Sequence, residues 1–419
     1  MNLDLPKGIR AFSCNESFQL DYIRNNLTSL FKRWGYEYIV LPQMEYFDVH
    51  KRGTGKELEN KMFRLIDRSE GEIITLRADF TAQIVRYVAS LQKKEFPMRF
   101  FYYGNLFRYI VPKADNLWER KQIGIELIGV NQLEGDAEII AVSAKALESL
   151  GVYDYQIDIN NISIFSVLKE ILGLEDKEYE IFMKHIKNRE IYYISKFLEN
   201  FSLDSILKEF LLSIPKIQGD VSVVDMWKKR LSNYPRLVEA LEQLIYVVRV
   251  LDYYELKGKV VFDLGEPREF SYYTGVVFEI VASDFRKPLA QGGRYDNLPK
   301  QYGGDFSATG FAFDLLNLWK YLIQKNLVPL REEKDFYIVD LTQEKRLAYL
   351  LSQKLREKGF SVGRDIVNRD YRDSIDFALS KGYKKVIVIG IDTNNENLYI
   401  YSNRGSSEVI PFREFLQKI

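Results

Sequence analysis

The sequence predicts an α+β protein of more than one domain, and three features carry that prediction. Two strand-like runs, Arg99–Arg108 and Gln122–Val130, face each other across a polar connection and read as a long antiparallel hairpin. From Ile162 to about Asp252 the patterning is almost uniformly helical, which marks a helical insertion. Beyond the charged stretch Arg331-Glu332-Glu333-Lys334, strand and helix patterns alternate, the mark of a small α/β domain over 326–419. The first fold closes near residue 325, and a length of 419 residues fits two to three domains at roughly 150 residues each.

Taken in order, Phe18, Tyr22, Leu27, Leu30 and Phe31 lie at helical spacing over Glu16–Trp34, and Gly35 suits the stop. Tyr38–Pro42 reads as a strand, Met62–Ile66 and Gly71–Leu76 as a hairpin pair, and Thr81–Leu91 as a helix. After the long hairpin come a helix over Asp136–Leu150, a strand over Tyr155–Ile159 and the helical insertion. Strand patterns return at Lys259–Leu264, Tyr272–Val281 and Leu289–Gly293, and the apolar run Ala308–Leu322 reads as a helix. The last domain reads strand 336–341, helix 343–358, strand 360–364, helix 370–381, strand 385–389.

Composition narrows the chemistry. Lys plus Arg and Asp plus Glu both number 59, so no global field draws the chain to a polyanion, and no nucleic-acid partner is expected. The one cysteine, Cys14, forms no internal disulfide and reads as an inert thiol. With no leader-like segment and no apolar run near membrane length, a cytoplasmic protein is expected, with no membrane contact. Two histidines, His50 and His185, both read as surface or loop residues, argue against a histidine-rich metal centre or a Ser-His-Asp hydrolase. No metal and no cofactor is expected. Gly53-Thr54-Gly55-Lys56-Glu57 lacks the spacing of a phosphate loop and reads as an ordinary loop, and Gly292-Gly293 as a close-packing turn.

Five segments stand out: RADFT (77–81), FRYIVP (107–112), QIGIELIG (122–129), PREFSYYTGVVFE (267–279) and QGGRYDNL (291–298). Tyr272 and Tyr273 offer an aromatic wall and a hydroxyl, Arg268 a fork for a carboxylate, and Asp79 and Glu126 acceptors for an ammonium and an imidazole N–H. That set suits a free amino acid with a polar ring. The segments, in this order over about residues 1–325, resemble the catalytic core of the histidyl-tRNA synthetases and of their paralogues, the regulatory subunits of ATP phosphoribosyltransferase. The resemblance implies a class II aminoacyl-tRNA synthetase-like fold, an antiparallel sheet with flanking helices, with Pro42 in the dimer-forming first motif. The small C-terminal domain resembles the anticodon-binding domain of the synthetases, and longer forms of the regulatory subunits carry a comparable one.

Carried over by resemblance, the histidine pocket falls on Asp79 and Thr81 at the amino group with Gln122 beside them, Glu126 and Tyr273 at the imidazole, Arg268 at the carboxylate and Tyr272 in the wall. Asp79 stands where synthetases usually carry Glu, and Ser271 where they carry Asp. The ATP half departs further. Arg108 matches the second-motif arginine, but Asn116 and Trp118 replace the loop arginines, and Leu316 and Asn317 replace the third-motif Glu-Arg pair. A neutral amide does not substitute for a guanidinium on a phosphate, so Arg108, Asn116 and Asn317 mark a vestigial ATP site.

The resemblance therefore implies a non-catalytic regulatory subunit, acting in the first step of histidine biosynthesis and required for activity and for feedback by histidine. Its implied partner is the short-form catalytic subunit, in a hetero-octamer, with a self-dimer through the synthetase-like core. The alternatives are an active histidyl-tRNA synthetase, or a histidine sensor with another partner.

Overall fold

The computed structural model describes residues 3–111, 117–266, 272–392, 397–402 and 407–418. Two compact units emerge: one is built from the residues up to Phe12 and from Leu20 to Val328, the other from Ser13–Gln19 and Pro329–Ile419.

The first long helix, α1 (Cys14–Arg33), starts where Ser13 and Glu16 exchange hydrogen bonds of 2.8 and 3.3 Å, and it ends before Gly35 at φ +80°. Its buried stripe is Leu20, Ile23, Leu27, Leu30 and Phe31. Strand β1 (Glu37–Tyr38) is short, and the expected strand over 38–42 is strand at Tyr38 alone. Three strands, β2 (Met44–Tyr46), β3 (Arg64–Ile66) and β4 (Ile73–Leu76), make a small sheet of order β2-β4-β3, so the expected hairpin has gained a third strand. Between β2 and β3 lie two short helices, α2 (Phe47–His50) and α3 (Gly55–Glu59), where a loop was expected around residues 53–57.

Helix α4 (Phe80–Ser90) leads to the long hairpin β5 (Met98–Phe107) and β6 (Glu119–Ile128), then α5 (Leu133–Ser149) and β7 (Gln156–Asn161). The insertion comprises α6 (Ser163–Leu172), α7 (Asp176–Lys187), α8 (Ile191–Leu198), α9 (Ser205–Ser213), a two-residue strand β8 (Gln218–Gly219), α10 (Val221–Arg230) and α11 (Pro235–Tyr253). The chain returns through β9 (Val260–Asp263), β10 (Val276–Ala282), β11 (Phe285–Arg294), β12 (Ala308–Asp314) and α12 (Leu315–Gln324).

Nine of these strands form the main sheet, order β1-β5-β6-β12-β11-β10-β7-β9-β8, antiparallel except for the β1–β5 and β7–β9 pairs. The pleat divides it. Ile123, Ile125 and Leu127 of β6, Phe311 and Phe313 of β12 and Phe278 and Ile280 of β10 point into a core shared with α1 and α5, where Phe31 meets the Phe311 ring edge-on at 6.0 Å. The alternate residues Gln122 and Glu126, Gly310 and Ala312, Gln291 and Glu279 face the other way and line a cavity. Arg294 fastens α5 to β11 through Asp136, with Nη2–Oδ2 at 2.8 Å.

Several expectations need correction. Ala308–Leu322 is not one helix: β12 fills the slot between β6 and β11, and a helix begins only after Asp314, whose carboxylate accepts from the Leu316 and Asn317 N–H groups at 3.1 and 3.0 Å. An apolar run of that length satisfies either periodicity, and the open ladder on both sides decides it. Tyr272 and Tyr273 precede β10 instead of lying in it. Gly292-Gly293 is strand, not turn; a Cβ on Gly292 would stand 2.4 Å from the Gly310 carbonyl oxygen. Both histidines lie on helices, and His50 is fully buried.

The second unit is a five-stranded sheet, β14-β13-β15-β16-β17, built from β13 (Lys334–Asp340), β14 (Val362–Arg364), β15 (Tyr383–Ile389), β16 (Asn397–Ser402) and β17 (Ser407–Pro411). Its helices are α13 (Arg346–Glu357), α14 (Tyr371–Ser380) and α15 (Phe412–Lys418). The final two strands and α15 were not anticipated. Among the described residues no helix is long and apolar enough to cross a membrane.

Candidate functional site

The cavity on the open face of the main sheet measures about 490 Å³. Asp79, Thr81, Gln122, Glu126, Tyr272 and Tyr273 all line it, together with Arg108 and Asn317. Arg268 and Asn116, also expected there, lie outside the described residues.

Glu126 is the most buried acid of the site, 1% exposed. Its register partner on β12 is Gly310, where a Cβ would stand 1.8 Å from Oε2, so a bare backbone leaves the room the carboxyl occupies. Thr81 Oγ1 lies 2.7 Å from Oε1, and the Tyr295 hydroxyl meets Oε2. Burial pushes the Glu126 carboxyl up to about 8; the two hydroxyls pull it down and the charge of Asp79 adds to the rise. Burial, followed by the charge of Glu126, holds the Tyr295 and Tyr102 hydroxyls well above the usual tyrosine value.

Asp79 caps α4 by accepting from the Ala82 N–H at 3.0 Å, and its Oδ2 lies 3.6 Å from Arg108 Nη2. Arg108 in turn donates from Nε to the Ala78 carbonyl at 2.8 Å. Gln122 donates to the Tyr102 hydroxyl at 3.0 Å. Tyr272 packs edge-on against Tyr273 and Tyr295, at 5.0 and 5.9 Å between ring centres. One end of the cavity thus combines two buried carboxyls, a guanidinium and an aromatic wall.

The other end carries charge that the motifs did not reveal: Arg120, Lys121, Arg286 and Lys287 line it, with Asp314 and Glu279 among them. Arg120 Nε lies 3.4 Å from Asp314 Oδ2, and Lys287 Nζ lies 3.5 Å from Asn317 Oδ1. Trp118 does not line the cavity. Its indole donates to the Ile110 carbonyl at 2.8 Å and packs against Phe63 and Tyr109.

Sequence reasoning missed Tyr102, Tyr295 and these basic residues. Tyr295 lies inside the GGRYDNL segment, so proximity to that motif was a usable signal. Arg286 and Lys287 had none, because only the fold of the β10–β11 hairpin brings them to the cavity.

Fold and pocket together define a histidyl-tRNA synthetase-like protein, and the histidyl-tRNA synthetase family model matches residues 8–318. A solved structure from Bacillus halodurans, titled an ATP phosphoribosyltransferase regulatory subunit/histidyl-tRNA synthetase, superposes with a TM-score of 0.79 at 25% identity, covering 93% of this chain and 98% of that one. The histidyl-tRNA synthetase of a Nostoc species shares the fold at TM-score 0.83 and 21% identity, covering 100% of this chain and 99% of that one. Among curated relatives, the ATP phosphoribosyltransferase regulatory subunit of Syntrophotalea carbinolica is 33% identical over 98% of this chain and 96% of its own length. The histidine–tRNA ligase of Methanocaldococcus jannaschii is 30% identical over 93% and 92%. The chain belongs to the family of ATP phosphoribosyltransferase regulatory subunits, paralogues of the histidyl-tRNA synthetases.

Proposed function

We propose that this chain is the non-catalytic regulatory subunit of an ATP phosphoribosyltransferase, needed for activity and for feedback by histidine in the first step of histidine biosynthesis. The observation that carries the reading is an asymmetry within one cavity. The amino-acid end keeps Asp79, Thr81, Gln122, Glu126 and Tyr273 together, while at the other end Asn317 stands where the resemblance implies an arginine, Trp118 is folded into an aromatic cluster, and the cations that do line it share the space with carboxylates, Arg120 being paired with Asp314.

In this reading histidine binds with its imidazole toward Glu126 and Tyr273 and its ammonium toward Asp79 and Thr81, and Arg268 takes the carboxylate. Binding regulates by linkage: histidine must prefer the inhibited assembly, and a coupling of about 1–3 kcal/mol gives roughly 5- to 150-fold inhibition. The partner is the short-form catalytic subunit in a hetero-octamer, with a self-dimer formed around the motif that holds Pro42.

Mixing the chain with a short-form catalytic subunit and measuring phosphoribosyl transfer to ATP tests this. Activity that depends on the chain and falls with histidine is expected; catalytic-subunit activity indifferent to the chain would overturn the reading. An active synthetase is the second reading, favoured by the methanogen relative. Histidine-dependent exchange of pyrophosphate into ATP would establish it.

A further inference from the structure

The segment 77–79, which leads from β4 into α4 and carries Asp79 into the cavity, belongs to no strand or helix. It is held by contacts from several directions. Arg77 N–H donates to the Gln43 carbonyl at 2.8 Å, and the Arg77 carbonyl accepts from Phe107 N–H at 2.9 Å. The Ala78 carbonyl accepts from Arg108 Nε, and Asp79 caps α4. One further group, the Ala78 N–H, donates to a side chain: Nε2 of His50, at 3.1 Å.

That contact fixes the chemistry of the imidazole. Because Nε2 accepts, the ring is neutral and its proton sits on Nδ1, which faces Glu45 Oε2 at 3.1 Å. Burial alone would raise the Glu45 carboxyl, but the His50 hydrogen bond and the charge of Arg86 hold it below its ordinary range. Arg86 donates from Nε to Glu45 Oε1 at 2.7 Å. Glu45 and Arg86 also border an open hollow of about 400 Å³ with Pro42, Met44, Tyr46 and Ile74. A single run of hydrogen bonds therefore joins the hollow beside β2 to the wall of the cavity, through Arg86, Glu45, His50 and the Ala78 peptide to Arg108, whose guanidinium faces the neighbouring Asp79 at 3.6 Å.

The geometry points to His50 as a positioning residue for the cavity: a buried, Nδ1-protonated imidazole that sets the Ala78 peptide, and with it Asp79 and Arg108, and links them to Glu45 and Arg86 at the hollow. This rests on the reading of the cavity as a histidine site. The role deepens that reading, because it gives a perturbation at the hollow a physical route to the ligand.

His50→Phe and His50→Gln separate positioning from mere packing. Phenylalanine keeps a ring but offers no acceptor, whereas the glutamine amide oxygen reaches about where Nε2 stands. In the full-length chain, His50→Phe should weaken histidine binding by calorimetry roughly tenfold, and His50→Gln should restore it to within about threefold. Two readouts need no ligand. Nitrogen NMR of the imidazoles should show one ring locked as the Nδ1–H tautomer, assigned against a His185 variant, since the chain has only 2 histidines. Amide exchange at Ala78 should be slow in the parent and in His50→Gln and fast in His50→Phe. Should His50→Phe fail to fold, Arg86→Ala at the outer end is expected to weaken histidine binding severalfold and to shift the His50 Nδ1–H resonance. A His50 ring in the other tautomer, or unchanged histidine affinity in His50→Phe or in Arg86→Ala, overturns the proposal. A parent chain that binds no histidine yet shows the locked tautomer and the protected amide overturns the functional reading instead.

Discussion

Glu126 sets the pH behaviour of the cavity. Its carboxyl is pushed up to about 8 by burial, so between the ordinary carboxylate value of 4.5 and about 8 the folded chain holds a proton that the unfolded chain has released. The stability tied to that proton is complete below about 4.5 and is lost as pH rises through about 8. Thermal unfolding followed from pH 5 to 9 should therefore show the parent losing stability faster than Glu126→Gln. Asp136, raised to about 6 by burial against the pull of Arg294, has the same sign; it is common to both chains and cancels in the comparison. For the ligand, Tyr273→Phe should cost histidine binding roughly 0.5–1.5 kcal/mol, the worth of a neutral hydrogen bond. Glu126→Ala and Arg268→Ala should each cost about 2–5 kcal/mol and release the complex from histidine inhibition while leaving uninhibited activity intact. Inhibition curves equal to the parent's would place the effector site elsewhere. At this scale the sequence was informative where chemistry sits in contiguous motifs: Asp79, Thr81, Gln122, Glu126, Tyr272 and Tyr273 share one cavity. It misplaced His50, read as a surface or loop residue, whose burial comes from the packing of a four-residue helix beside β4 that no periodicity announces.

At the scale of elements, the junction of β12 and α12 shows what patterning alone leaves open. The run from Ala308 to Leu322 is apolar enough for either structure, and Asp314 marks the switch by capping two N–H groups. Asp314→Ala should destabilise the chain by about 0.5–2 kcal/mol, read in denaturant midpoints. The same change frees Arg120 from its 3.4 Å contact. Asn317→Arg alone should not give pyrophosphate exchange, because Trp118 is committed to the Phe63 and Tyr109 rings and Arg120 to Asp314, whereas a polyphosphate needs several unengaged cations placed together. Exchange above background in that single variant would mean the phosphate end needs less rebuilding than its lining suggests. The long hairpin, by contrast, was legible: β5 and β6 pair in unbroken register from Met98↔Ile128 to Phe107↔Glu119. Ile123, Ile125 and Leu127 alternate with Gln122, Gly124 and Glu126 along β6, and the aromatic run Phe100–Tyr103 gives β5 strong strand preference.

For the whole molecule, the two units carry separate apolar cores. Ile123, Phe311 and their neighbours fill one, while Ile338, Leu351 and Ile387 anchor another. A chain ending near Glu332 should therefore fold and still bind histidine, with calorimetry as the check. A truncated chain that is folded but has lost histidine binding would assign the last domain a part in the pocket. The alternation of that domain was readable through β15 and no further, because β16 and β17 form a hairpin that closes an edge, where short strands carry little pattern.

The floor of the cavity mixes the side chains of Gln122, Glu126, Gln291 and Glu279 with bare backbone at Gly310. Tyr273, Lys287 and Arg286 reach it as side chains. Gly310 leaves no room for a side chain: a methyl there would stand 1.8 Å from the Glu126 carboxyl and 2.6 Å from the Ile125 backbone carbonyl oxygen. Removing the acid would not free the position, because the Ile125 carbonyl oxygen still stands inside van der Waals contact there, so Gly310→Ala should lower the denaturant midpoint with or without Glu126.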